Sequence, residues 1–233
     1  FLTAKYSWPT GDGYVDEDGD VRPGLGLLSR VRHLTRRLAV MMYEQGREPF
    51  VYVHMTNANM LPMLSFAQAN LAWEFKYGSN DYQERFTPEY MRSVCIGRQA
   101  GTIPTLLGGI VGVDPTSDEY VRLTRTGLAM ALPHETFFYA RAHGQTCRTV
   151  REILTDFRIG DFEAYPYWEN QPVIQSAPEQ LLVTVYRRSD SLLLVVGNQG
   201  DAGTFQIALT PSALAGQTLK AVNRETDEPL DVT

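Results

Sequence analysis

The stretch from Phe50 to Gly78 constrains this chain more than any other. It opens with Phe50-Val51-Tyr52-Val53, a β-branched and aromatic run set off by Pro49. Such a run predicts a short buried strand. The strand stops at His54, and the chain turns polar at once with Thr56, Asn57 and Asn59. Strands of parallel sheets deliver functional side chains at their C-terminal ends. His54 and Asn57 stand at such an end, and Glu74 follows between Trp73 and Phe75. A carboxylate between two aromatics belongs either to a solvated face or to a shaped site.

The flanking segments read as helices and strands in turn. Leu27, Val31, Leu34, Leu38 and Met41 recur at helical spacing, so a helix is predicted over Leu27–Glu44 with its apolar row toward a core. Arg30, Arg32, Arg36 and Arg37 take other positions and form a solvated face, with Gly46 as the stop. Leu61–Ala72 carries small residues and predicts a helical turn around Ser65–Asn70. Thr87-Pro88-Glu89 is a helix start: a capping hydroxyl, proline in the first turn and an acid beside it. Thr102–Leu107 predicts a second strand, followed by Gly108-Gly109. Thr116–Glu119 has capping-box spacing and opens another helix. His134 and His143 flank a helix break, and Val150, Ile153, Leu154 and Phe157 mark a further amphipathic helix before Gly160. This order is the rhythm of a β/α unit, with Phe50–Val53 and Thr102–Leu107 expected to pair in parallel.

Near residue 160 the rhythm changes. Leu181–Tyr186, Leu192–Val196 and Thr204–Leu209 have strand length, and Arg188–Asp190 and Asn198–Asp201 read as turns between them. Lys220–Asn223 adds another short strand. The fold class expected is α/β, with residues 1–160 in one region and a small antiparallel β-sandwich over 161–233.

Composition narrows the function classes. The net charge of −6 argues against a nucleic-acid partner, whose phosphates select basic surfaces. No apolar run approaches the ~20 residues of a membrane span, and no signal-peptide pattern is read. Cys95 and Cys147 have neither CxxC spacing nor a third cysteine, so no thiolate metal cluster is expected. Asp16–Asp20 superficially resembles a calcium loop, but the twelfth position from Asp16 is Leu27, where a bidentate Glu would be needed. It reads as an acidic turn. No metal and no cofactor are expected.

Several residues in order carry a family resemblance. His54, Thr56, Asn57, Pro62, Ser65-Phe66-Ala67 and Glu74 resemble the strand-seven region of proteins related to glycoside hydrolase family 123. Asp81-Tyr82, Pro88, Tyr90, Gly97-Arg98-Gln99 and Gly101 also fit. Tyr165–Asn170 and Val183–Tyr186 resemble the lead-in to that family's C-terminal sandwich. The resemblance implies a partial (β/α)8 TIM-barrel-like region followed by the accessory sandwich. A closed barrel takes ~250 residues, so a missing N-terminal part or other chains would complete it. The resemblance further implies substrate-assisted hydrolysis of N-acetylhexosaminides, an exception to the two-carboxylate scheme. It also implies an extracellular or periplasmic protein.

The family's catalytic Asp-Glu pair follows a barrel strand. Here Asp16-Glu17, Asp118-Glu119 and Asp227-Glu228 directly follow no apolar strand, so the catalytic pair is expected outside this chain. What remains is a carbohydrate-binding half-site. His54 and Asn57 are candidates to hydrogen-bond sugar hydroxyls, against a rim histidine and a turn residue. Glu74 is either a hydroxyl acceptor and general acid or a structural ion-pair partner. Trp73, Tyr82 and Trp8 are candidate stacking platforms, against a place in the core. A noncatalytic carbohydrate-binding or assembly protein on the same fold is the second reading.

Overall fold

The computed structural model describes residues 13–23, 27–54, 61–72, 78–94, 101–214 and 219–232. They belong to two compact units, Phe1–Trp73 with Ile96–Thr105, and Glu74–Cys95 with Leu106–Thr233. Trp8 lies outside the described residues.

In the first unit, the acidic run is the turn of a hairpin. Strands β1 (Gly13–Val15) and β2 (Val21–Pro23) pair antiparallel around it. The Asp16 carboxylate accepts from the backbone N–H groups of Asp18 (3.1 Å) and Asp20 (2.8 Å), which closes the turn. Arg22 donates to the same carboxylate.

Helix α1 (Leu27–Glu44) has the bounds its periodicity predicts. Gly46 stops it with φ +70°, donating to the Tyr43 carbonyl at 2.9 Å while Arg47 donates to Met42 at 3.0 Å. The burial of its apolar row differs from expectation. Val31 packs on the cluster Met63, Leu64 and Ala67, but Leu34, Leu38 and Met41 are 58%, 40% and 52% exposed. Its described helical neighbour, α2 (Leu61–Leu64), is one turn long; Val31 packs on its cluster and Thr35 is 3% exposed, while the row beyond is open. Arg32 lies over the Phe66 ring at 5.1 Å, so part of the basic face rests on an aromatic.

The four-stranded parallel sheet has the order β3 (Tyr52–His54), β4 (Ala69–Ala72), β5 (Ile103–Gly109) and β6 (Phe137–Arg141). Two expectations are corrected. First, β3 and β5 share a sheet but are not partners, because β4 lies between them. The register is Tyr52 opposite Ala69, Val53 opposite Asn70 and His54 opposite Leu71. The residues Ser65–Asn70 therefore end in a strand and not a helical turn. Gln68 decides this: its side-chain oxygen accepts from Val51 N–H (2.7 Å), and its own N–H donates to Val51 O (2.9 Å). Buried Ala69 and Ala72 then pack without bulk. Second, β6 occupies the place read as a helix break. It lacks flanking Gly or Pro, and Phe137 and Tyr139 are exposed, so it shows no apolar alternation.

The second unit contains α3 (Tyr82–Arg85), α4 (Pro88–Val94), α5 (Asp118–Ala131) and α6 (Gly144–Asp156). Thr87 caps α4 as expected, its hydroxyl accepting from Tyr90 N–H at 3.1 Å. The cap of α5 is Ser117, one residue later than the pattern suggests, accepting from Tyr120 N–H at 3.2 Å.

The antiparallel strands follow. A three-stranded sheet has the order β10 (Leu192–Asn198), β9 (Leu181–Arg187), β7 (Glu163–Tyr165). β8 (Ile174–Ser176) pairs with β11 (Ala208–Leu209), and after helix α7 (Pro211–Leu214), β12 (Ala221–Asn223) pairs with β13 (Glu228–Leu230). Residue 160 marks a change of secondary structure but not a gap in packing. Leu154 of α6 shares a buried cluster with Tyr186 of β9 and Leu193 of β10.

Candidate functional site

The C-terminal ends of parallel strands are where an α/β sheet presents its chemistry. His54 closes β3 there and is exposed. Asn57, Trp73 and Glu74 lie outside the described residues. The half-site built from His54, Asn57 and Glu74 is thus represented by His54 alone.

Tyr82 is corrected from stacking platform to core residue. It is 0% exposed. Phe138 meets its ring edge-on at 5.2 Å between centroids, Phe86 stacks at 6.4 Å, and the Arg85 guanidinium lies over it at 4.8 Å. No ring face is open to a sugar. Its hydroxyl accepts from Gly109 N–H at 2.6 Å, at the C-terminal end of β5, and burial raises the phenol pKa. Beside it, the Asn80 amide clamps the following loop, donating to Val111 O (2.8 Å) and accepting from Val111 N–H (3.0 Å).

A cleft of about 490 Å³ opens elsewhere in the second unit. Helix α4 contributes Glu89 and Arg92, the turn after β7 contributes Tyr167 and Asn170, and the end of β10 leads to Gln199. Each wall is pinned. Asn170 Nδ2 donates to Val183 O at 2.7 Å, while its backbone carbonyl accepts from the N–H groups of Val173 and Ile174. Tyr167 N–H donates to Thr184 Oγ1 (3.1 Å), whose hydroxyl donates on to Pro133 O (2.6 Å).

His134 braces the same wall. It is 2% exposed. Its Nδ1 lies 2.6 Å from Met130 O, an atom that can only accept, so Nδ1 carries the proton. Nε2 then accepts from the Tyr167 hydroxyl at 3.1 Å. Burial pushes the His134 pKa below its usual range, and the positive charge of Arg92 acts the same way against the Met130 and Pro88 carbonyls. Trp168 stacks on His134 at 6.1 Å and carries the Arg92 guanidinium at 5.1 Å.

No protein-family model, curated protein or solved structure matches the chain.

Glu89 is exposed, and hydrogen bonds from its own backbone N–H and from Thr87 hold its carboxyl below the usual range. It is an acceptor at neutral pH and not a proton donor. Of the Asp-Glu pairs, Asp16-Glu17 lies in the β1–β2 turn, Asp118-Glu119 in the first turn of α5, and Asp227-Glu228 where the β12–β13 turn enters β13. Among the described residues, no group of three or more His, Cys, Asp and Glu side chains is arranged to hold a metal, and no helix is long and apolar enough to cross a membrane.

The cleft was missed in the sequence. In the sequence, Tyr165–Asn170 belongs to an aromatic-rich stretch broken by Pro166 and Pro172, and Asn198–Asp201 reads as a turn. The usable signal was polar amides in turns flanking long apolar strands.

Proposed function

We propose that this chain is a glycoside hydrolase-like protein that acts on or binds glycans. The observation that carries the reading is His54 at the C-terminal end of a strand in a parallel sheet, with its resemblance pattern around it. In this reading the parallel strands are the late part of a (β/α)8 barrel, and the antiparallel strands are its accessory sandwich. The substrate class is N-acetylhexosaminides. The acetamido oxygen of the sugar attacks its own anomeric carbon as the glycosidic C–O bond breaks, and the leaving oxygen takes a proton from the acid of an Asp-Glu pair outside this chain. Water, deprotonated by the same group, then opens the cyclic intermediate and restores the acetamide. The location is extracellular or periplasmic.

A noncatalytic, carbohydrate-binding reading is favoured by one observation: the three Asp-Glu pairs lie in a hairpin turn, in the first turn of α5 and at the turn into β13, and none follows a strand of the parallel sheet. Two measurements on the full chain separate the readings. Release of nitrophenol from p-nitrophenyl N-acetylhexosaminides reports turnover, and calorimetric titration with N-acetylhexosamine oligosaccharides reports binding. Binding without turnover is expected of this chain by itself. Absence of binding to any glycan in a broad panel would remove the carbohydrate reading.

A further inference from the structure

We infer that two copies of this chain associate through α1, each helix receiving the β1–β2 hairpin of the other copy. The inference is independent of the glycan reading and concerns the first unit.

Both elements are incompletely covered in a single copy. On α1, Leu34, Leu38 and Met41 follow one another at helical spacing and are exposed. The adjoining side of the helix is already used, since Thr35 is buried and Val31 packs on Met63, Leu64 and Ala67. An exposed apolar row rimmed by charge marks an interaction surface. The hairpin has the same deficit. Among the described residues it belongs to no larger sheet, and a lone two-stranded hairpin is marginal in water unless something packs on it. Val15 and Val21 stand directly opposite one another and so share a face. Val15 is 46% exposed.

Charge selects the occupant. Helix α1 carries Arg30, Arg32, Arg36 and Arg37 against the single acid Glu44, in a chain of net charge −6. Arg30 stands four residues before Leu34 and Arg37 four before Met41, so both border the apolar row. The hairpin has the opposite balance, with Asp16, Glu17, Asp18 and Asp20 against Arg22. Asp16 is committed to closing the turn and to Arg22, but Glu17 and Asp18 at the tip are exposed. Pairing α1 with the other copy's α1 would set arginines against arginines, whereas the hairpin sets carboxylates against them. The spacings agree. Glu17 and Asp18 stand roughly 7–10 Å past Val15 at strand rise, and Arg30 lies about 6 Å along the helix from Leu34. Valines laid on Leu34 and Leu38 therefore bring the tip within an arginine's reach. Each copy has one such helix and one such hairpin, so the contact forms twice about a two-fold axis. That closes the assembly as a dimer and doubles its area.

Sedimentation of the full chain over a range of concentrations is the test. The parent is expected to dimerise reversibly, with association weakened roughly tenfold from low to high salt. Glu17→Lys with Asp18→Lys reverses the tip and leaves Asp16 in place. Arg30→Glu with Arg37→Glu reverses the helix. Each double variant alone is expected to sediment as a monomer with the parent's circular dichroism. Their equimolar mixture is expected to recover the dimer, because the exchanged charges match again. Leu34→Gln with Leu38→Gln changes exposed side chains and serves if the arginine reversal unfolds the chain. It is expected to abolish the dimer at an unchanged melting temperature. A parent that stays monomeric at every concentration, or a dimer that survives both reversals, overturns the inference. A mixture that fails to dimerise overturns the pairing of these two elements. A monomeric parent that binds phosphatidylglycerol vesicles, and loses them on Arg30→Glu with Arg37→Glu, would give the helix face to a membrane instead.

Discussion

The Tyr82 hydroxyl accepts a hydrogen bond from the Gly109 N–H at 2.6 Å, locking α3 to the C-terminal end of β5. Tyr82→Phe leaves the ring packing intact and strands the Gly109 N–H. Stability should fall by about 1 kcal/mol, read as a lower urea midpoint at unchanged slope. Glycan affinity should not move, because the ring has no exposed face. A loss of affinity at unchanged stability would return Tyr82 to the binding site.

Gly127, inside α5, gives way to the ring of Phe138. A Cβ at Gly127 would sit 2.5 Å from Phe138 Cζ, and one at Gly108 would sit 2.7 Å from Cε2 of the same ring. Gly127→Ala improves helix propensity by roughly 1 kcal/mol, but overpacking costs about 1–3 kcal/mol. Tyr82, edge-on to Phe138, limits the ring's escape. The net effect should be destabilising. In a Phe138→Leu background the same substitution should become neutral or stabilising, a coupling that a double-mutant cycle measures. Equal effects in both backgrounds would show that the two residues do not compete for space.

His134 should make stability pH-dependent. Its folded pKa is depressed by burial, so the unfolded chain binds the proton more readily. The contribution of neutral His134 is fully present above the unfolded value near ~6.5. It declines as pH falls toward and through the folded value. The drop in melting temperature between neutral and mildly acidic pH should be larger for the parent than for His134→Gln. Identical drops would assign the acid sensitivity to other groups.

Local features were legible along the chain. The bounds of α1, the Gly46 stop, the Thr87 cap and the turns beside β9 and β10 each depend on residues within a few positions of one another. The capping hydroxyl and the left-handed glycine act on neighbouring backbone, so their chemistry is written where they stand. Of the candidate site residues, the structure describes His54, which closes β3, and Tyr82, which is buried. Tyr82 looked like any aromatic beside a polar turn, and nothing near it in sequence announces Phe138 or Gly109.

The sequence by itself determined element type over most of the chain: helix where apolar residues recur at helical spacing, strand where β-branched runs meet turns. The tertiary structure decided adjacency. It set β4 between β3 and β5 through the pairing of Gln68 with Val51. It buried Tyr82 and left Leu34 and Met41 exposed on a correctly read helix. It also gathered Arg92, Tyr167, Asn170 and Gln199 around one cleft. The physical reason is common to all three. Propensity and capping act over one turn of chain, whereas burial and hydrogen-bond partners are set by residues distant in sequence, and only folding brings those together.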